Sequence, residues 1–146
     1  MSKIALIPFE TTLRVRDTCL CLHVQRAARA LGRRFDEVLR PFGLTNGQFS
    51  LLMSLNRPQP PAMGSVADLL AMDRTTLTAA LKPLERRGLV EIINSPDDKR
   101  ARLLLLTELG AQLLASAVPV WENTHAAIES ALSDPDRLRK DLIALS

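Results

Sequence analysis

Between Gly88 and Thr107 the apolar residues of this chain change their period, and that change constrains the fold more than any other feature. On either side of it apolar side chains recur at steps of three and four, the spacing of one helix face. Within it, Leu89 to Ile93 and Ala101 to Leu106 read as two strands joined by the turn Asn94-Ser95-Pro96-Asp97-Asp98. Strict alternation fails in the second strand, because Leu103 to Leu106 is continuously apolar; a strand covered on both sides accounts for that. The expected fold class is mainly α with one small β-hairpin.

The helices can be placed from caps and breakers. After a short N-terminal arm, Leu20, Val24, Ala27, Leu31, Phe35 and Val38 mark one helix over about Leu13 to Leu39, ended by Pro41 and Gly43. Its other sides carry Arg26, Arg29, Arg33, Arg34, Asp36 and Glu37. Thr45 with Gln48 matches a capping box in front of Phe49, Leu51, Leu52 and Leu55. Three prolines make Arg57 to Ala62 a loop. Ser65 is expected to cap a short helix carrying Val66, Leu69 and Leu70. Asp73 caps the next, which runs to about Arg87 with Leu77, Ala80, Leu81 and Leu84 inward and Gly88 at its C-terminal cap. Pro83 is a shape feature late in that helix. Thr107 opens a long helix through Leu113, Leu114, Val118 and Trp121 to about Leu132, which Pro119 should bend or locally break. Asp134 and Pro135 start a last helix over roughly Asp136 to Leu145.

Several function classes lose support at once. The longest apolar runs fall far short of the ~20 residues of a membrane span, and Met1 to Glu10 lacks the extended apolar region of a signal peptide. The expected compartment is the cytoplasm. Cys19 and Cys21 lack zinc-site spacing and the two histidines, His23 and His125, lie elsewhere, so neither a metal nor another cofactor is expected. The chain offers no supported Ser/His/Asp set and no Gly-rich phosphate loop, and no catalytic residue is assigned. A net charge of +3 is compatible with a polyanionic partner without requiring one.

The order short helix, tight turn, second helix, hairpin is that of a winged helix-turn-helix, which can set one helix in a DNA major groove and a loop in the flanking minor groove. The leucines of the second helix point inward, which leaves Arg74, Thr75, Thr76, Thr78, Lys82 and Arg86 for a partner. Hydroxyls and a guanidinium near a helix start suit phosphate oxygens and base edges, and free backbone N–H groups would add an anion site. Arg74 is a candidate for a guanine contact or a phosphate clamp; Lys82 and Arg86 suit the DNA backbone. In the hairpin turn, Asp98 could accept hydrogen bonds from the backbone or from Arg100 and fix the loop, with Arg100 in the narrow groove and Arg102 beside it. Thr and Arg at a helix start, and an acidic hairpin tip, are also ordinary surface features, so a winged-helix protein-interaction module without specific DNA binding is the alternative.

Taken together, Gly43-Leu44-Thr45, Gln48-Phe49, Leu69, Asp73 through Thr78, Leu84-Glu85-Arg86-Arg87-Gly88-Leu89-Val90, Asp98-Lys99-Arg100 and Leu106-Thr107-Glu108-Leu109-Gly110 resemble the MarR family of bacterial regulators. The resemblance implies a homodimer on pseudo-palindromic operator DNA, commonly a repressor. It implies helical dimerisation regions at residues 1–42 and 107–146 that intertwine, with Leu20, Leu31, Trp121, Ile128, Leu138 and Leu142 shared between core and interface, and a DNA-binding region at 43–106. Arg100 matches the family's wing arginine and Asp98 its supporting acid. Ile92 stands where a basic residue is common. The resemblance also implies a cleft for small lipophilic, aromatic or phenolic effectors, to which His23, Arg26, Phe42, Phe49 and Met53 are assigned as candidates. Cys19-Leu20-Cys21 is placed like the peroxide-sensing cysteine of the organic hydroperoxide branch, but that branch holds its thiol through tyrosines and this chain has none. The two cysteines are therefore expected to be buried packing residues on the first helix, where positions two apart do not face each other.

Overall fold

The computed structural model describes residues 6–146, so the first five residues of the N-terminal arm lie outside it. The elements are α1 (Phe9–Thr18), α2 (Leu20–Leu39), a 3-10 turn (Arg40–Phe42), α3 (Asn46–Ser54), α4 (Met63–Leu69), α5 (Arg74–Arg86), β1 (Val90–Asn94), β2 (Arg102–Leu106), α6 (Glu108–Ser130) and α7 (Pro135–Leu145). Among the described residues this is the expected mainly helical architecture with a single hairpin. It divides into two compact units, one ending at Arg34 and one starting at Phe35.

In the first unit the expected single helix is two. The break falls at Cys19, whose backbone is extended (φ −69°, ψ 111°). Its N–H closes α1 on the Val15 carbonyl, and its own carbonyl accepts from the His23 N–H to open α2. No proline or glycine marks the place. The Thr18 hydroxyl donates to the Arg14 carbonyl at 2.6 Å, a back-bond of the kind that bends helices. The cysteines also depart from expectation: Cys19 is half-buried, Cys21 is exposed, and Gln25 Nε2 donates to the Cys21 sulfur at 2.9 Å.

The second unit owns the core. Leu39, Leu52, Val66, Leu77, Leu81, Leu84, Val90, Leu104 and Ala117 are all buried, so the end of α2, the three central helices, both strands and α6 share one apolar interior. Each Leu side chain removed from water there contributes about 1.5–3 kcal/mol, enough to make α5 a fixed platform rather than a mobile segment. Local caps set the helix starts. Thr45 and Gln48 form both bonds of the capping box, and Asp73, Thr107 and Asp134 each accept from the backbone three residues on. Ser65 does not cap α4, which begins two residues earlier at Met63 behind Ala62. Ala62 is held by a bridge to Leu103, and the Ser65 hydroxyl donates backward to its carbonyl at 2.9 Å.

The strands pair antiparallel with Val90 opposite Leu106 and Asn94 opposite Arg102. On the other edge of β2, Leu104 N–H donates to the Pro61 carbonyl at 2.9 Å, so the proline loop covers that edge. Leu104 is fully buried and Leu103, Leu105 and Leu106 are half-buried, which explains the unbroken apolar run. Pro119 does not break α6, which is continuous over 23 residues. Gly110 in its first turn lies against the Leu89 carbonyl, and any Cβ there would collide with it.

Candidate nucleic-acid interface

The turn that aims α5 is built by its hydrogen bonds. After α4, Ala71 N–H donates to the Asp68 carbonyl and Met72 N–H to the Ala67 carbonyl, the paired closure of a Schellman motif. The pivot, Ala71, sits at φ 53°. That is a left-handed conformation glycine normally fills, and sequence reading missed the position for that reason. The same closure ends α5 with the usual residue: Gly88 at φ 73°, its N–H on the Glu85 carbonyl and Leu89 N–H on the Leu84 carbonyl.

Along α5, Leu77, Leu81 and Leu84 are buried while Arg74, Thr75, Thr76, Thr78, Lys82 and Arg86 are all exposed. Arg74, Thr75, Thr78, Ala79 and Lys82 line one shallow depression, so most of the outward side of α5 forms one continuous, largely polar face. Two chemical details differ from expectation. The helix start is not a free anion site, because the Asp73 carboxylate accepts the Thr76 N–H at 2.7 Å. That hydrogen bond holds the Asp73 carboxyl below the usual carboxylate range. The Thr78 hydroxyl donates to the Arg74 carbonyl at 2.8 Å, which leaves chiefly its acceptor lone pairs for a partner. Pro83 lies inside α5 without ending it.

At the wing, Asp98 Oδ1 accepts the Arg100 backbone N–H at 2.9 Å, and the Asp98 carbonyl accepts Ala101 N–H at 3.0 Å. Ser95 N–H then donates to the Ala101 carbonyl, closing the tip across its base. The acid thus holds the backbone rather than the Arg100 guanidinium. Arg100 and Arg102 are exposed, and with Arg74 and Asp98 they line a depression of about 260 Å³ between the helix-turn-helix and the wing. Among the described residues no ion pair ties Arg100 or Arg102.

The candidate effector residues fall in different places. His23 and Arg26 line a basic depression of the first unit with Arg29 and Arg33. Phe49 and Met53 line an apolar one of the second unit, about 560 Å³, with Leu69, Leu70, Trp121 and Glu122. Phe42 is half-buried against the second unit's core. Sequence reading missed the aromatic row that walls the second depression: Phe49 stacks on Trp121 at 6.3 Å, and Trp121 on His125 at 4.6 Å. Residue 49 is 72 positions from residue 121, beyond any periodicity. Arg87 was missed too; its Nη1 donates to the Gly43 carbonyl at 2.7 Å and ties the end of α5 to the turn before α3.

The MarR family model matches residues 44–101, which run from α3 through the wing tip. The organic hydroperoxide resistance transcriptional regulator of Bacillus subtilis is 30% identical over 126 residues, covering 86% of each chain. The transcriptional regulator MosR of M. tuberculosis, solved in complex with DNA, is 38% identical with a TM-score of 0.81, covering 88% of this chain and 93% of its own. The transcriptional repressor CouR, solved on a 23-mer DNA duplex, is 27% identical with a TM-score of 0.74, covering 99% and 96%. A helix-turn-helix carried on a shared core, a wing closed by Asp98, and relatives matched over nearly their whole length place this chain in the MarR family of winged helix-turn-helix transcriptional regulators.

Proposed function

We propose that the protein is a homodimeric repressor that grips a pseudo-palindromic operator with two winged lobes. One observation carries this reading: Arg74 at the start of α5 and Arg100 and Arg102 on the wing line the same depression, so helix and wing present one basic surface. Thr75, Thr76 and Thr78 enter the major groove, Lys82 and Arg86 approach the backbone, and Arg100 enters the minor groove. The relatives MosR and CouR, both solved on DNA, support it. Residues 43–106 form the DNA-binding region, and 1–42 with 107–146 the dimerisation region. In the latter Leu20, Phe9, Ile143 and Leu145 are 67%, 69%, 72% and 61% exposed, more apolar surface than a lone protomer would leave in water.

Binding of a duplex selected from a randomised pool, followed as salt rises, tests this together with sedimentation of the free protein. A dimer whose affinity for the selected duplex falls steeply with salt and exceeds that for random DNA is the expected result. Equal affinity for selected and random duplex would favour the protein-interaction module. A small effector is part of the same proposal. Among the described residues, Glu122 is the sole charged one lining the apolar depression beside Trp121, which supports a neutral or cationic aromatic compound over an anion held by His23 and Arg26.

A further inference from the structure

Gly64 stands in the first turn of α4, where glycine is the poorest helix former apart from proline. The backbone does not ask for it: among the described residues positive φ occurs at Gly43, Gly88 and Ala71, not here. What the missing side chain makes room for is Arg74. A Cβ on Gly64 would stand 3.0 Å from Arg74 Nη2 and 3.9 Å from its Cζ, so the guanidinium lies directly over the glycine. Gly64, Arg74, Asp98, Arg100 and Arg102 all line the same depression of about 260 Å³. Asp98 is the one acid among the described residues that line it, already engaged with the Arg100 N–H.

We propose that Gly64 is the seat of Arg74, holding its guanidinium toward the wing so that Arg74 and Arg102 together grip one DNA backbone phosphate beside the minor groove that Arg100 enters. Three guanidiniums from two elements around one carboxylate leave an excess of positive charge in a concave site; with Arg100 directed to the minor groove, the remaining two, Arg74 and Arg102, suit a tetrahedral phosphate oxygen pair better than a base edge. Arg74 then sets register and affinity rather than sequence, and reading of bases falls to Thr75, Thr76 and Thr78. The recognition helix and the wing are locked to the same phosphate, which fixes the angle at which α5 enters the groove. Gly64 touches no DNA itself; it is a positioning residue. This inference rests on the DNA-binding reading above.

The test uses the full-length protein and a duplex that it selects from a randomised pool. Arg74→Ala should weaken binding roughly tenfold or more, equally across sequence variants of the duplex, and lower the salt slope by about one per subunit. Gly64→Ala suits a helix, so it should fold at least as well as the parent, yet it should weaken the same duplex roughly threefold or more by displacing the guanidinium. In the Arg74→Ala background Gly64→Ala should change nothing further, because the group it displaces is gone. A scan of neutral methylphosphonates along the duplex should find one position per half-site where the parent loses clearly more affinity than Arg74→Ala does. Relaxed preference at a single base pair in Arg74→Ala, or an equal loss from Gly64→Ala in both backgrounds, would overturn the assignment while leaving DNA binding intact. Failure of the parent to bind any duplex would remove this inference and the function together.

Discussion

The Thr107 hydroxyl donates to the Gly88 carbonyl at 2.6 Å and accepts the Gly110 N–H at 3.0 Å, so one side chain joins the end of α5 to the start of α6. Both partners are backbone groups at helix termini, which would otherwise lack intrahelical bonds. Thr107→Val keeps the shape and removes both bonds. It should cost about 1–2 kcal/mol in denaturant unfolding, and Thr107→Ser should recover most of it. A Val variant as stable as the parent would show that the link is dispensable.

Ala71 invites the opposite experiment. Its φ of 53° puts Cβ near the following carbonyl, a cost of about 1–2 kcal/mol that glycine escapes, offset in part by glycine's greater freedom when unfolded. Ala71→Gly should therefore stabilise the protein by up to about 1 kcal/mol, read as a higher denaturation midpoint with unchanged slope. Destabilisation by that change would mean that the alanine methyl packs better than its backbone suggests.

Asp36 sets an acid limit on stability. Its Oδ1 accepts Asn46 N–H at 2.7 Å and Asn46 Nδ2 at 2.8 Å, and these bonds, the backbone one first, hold the carboxyl below its usual range. A carboxyl with a depressed folded pKa contributes stability above its unfolded value, roughly pH 4, and loses it as pH falls through the folded value. Stability measured from pH 7 downward should thus decline below about pH 4, and Asp36→Asn should be less stable at neutral pH with a shallower decline. Asp73, lowered by its own cap bonds, will keep some slope in that variant. An unchanged slope would assign the acid sensitivity elsewhere.

The wing offers a test in which charge and geometry have opposite signs. Removing Asp98 makes the lobe more basic, so a purely electrostatic role would tighten DNA binding. If Asp98 acts by holding the Arg100 N–H, Asp98→Ala should instead loosen the tip and weaken binding several-fold. Asp98→Asn retains an acceptor and should bind at least as well as the parent. Arg100→Ala should weaken binding with no loss of fold, since its side chain is exposed.

What was readable in advance follows from locality. Thr45–Gln48, Asp73, Thr107 and Asp134 announced helix starts because a cap involves residues three apart, and the period change announced the hairpin. The break at Cys19 and the turn at Ala71 carried no glycine or proline, so nothing in composition marked them. Ser65 misled because it had a capping residue's chemistry while tertiary pairing of Ala62 with Leu103 set the true start. The outward face of α5 was read from its leucines. Arg74 over Gly64 and Phe49 on Trp121 belong to packing between elements, which no single stretch of sequence encodes.

Trp121 makes the proposed effector depression observable, because it is the chain's single tryptophan and lines the cavity with Phe49, Met53, Leu69 and Leu70. A flat aromatic compound entering there should perturb its fluorescence directly. Glu122 on the same wall makes a cationic compound the favoured occupant, since a carboxylate facing an apolar cavity attracts a cation and repels an anion. Titration with paired aromatic probes of similar size, one carrying a quaternary ammonium and one a carboxylate, should quench Trp121 with the first and leave it nearly unchanged with the second. Glu122→Gln should weaken the cationic probe several-fold and narrow the gap between the two. Release of the selected duplex should track occupancy if the cavity governs DNA binding. Preference for the carboxylate probe, unaltered in Glu122→Gln, would move the effector site away from Trp121 and toward the basic depression of His23 and Arg26.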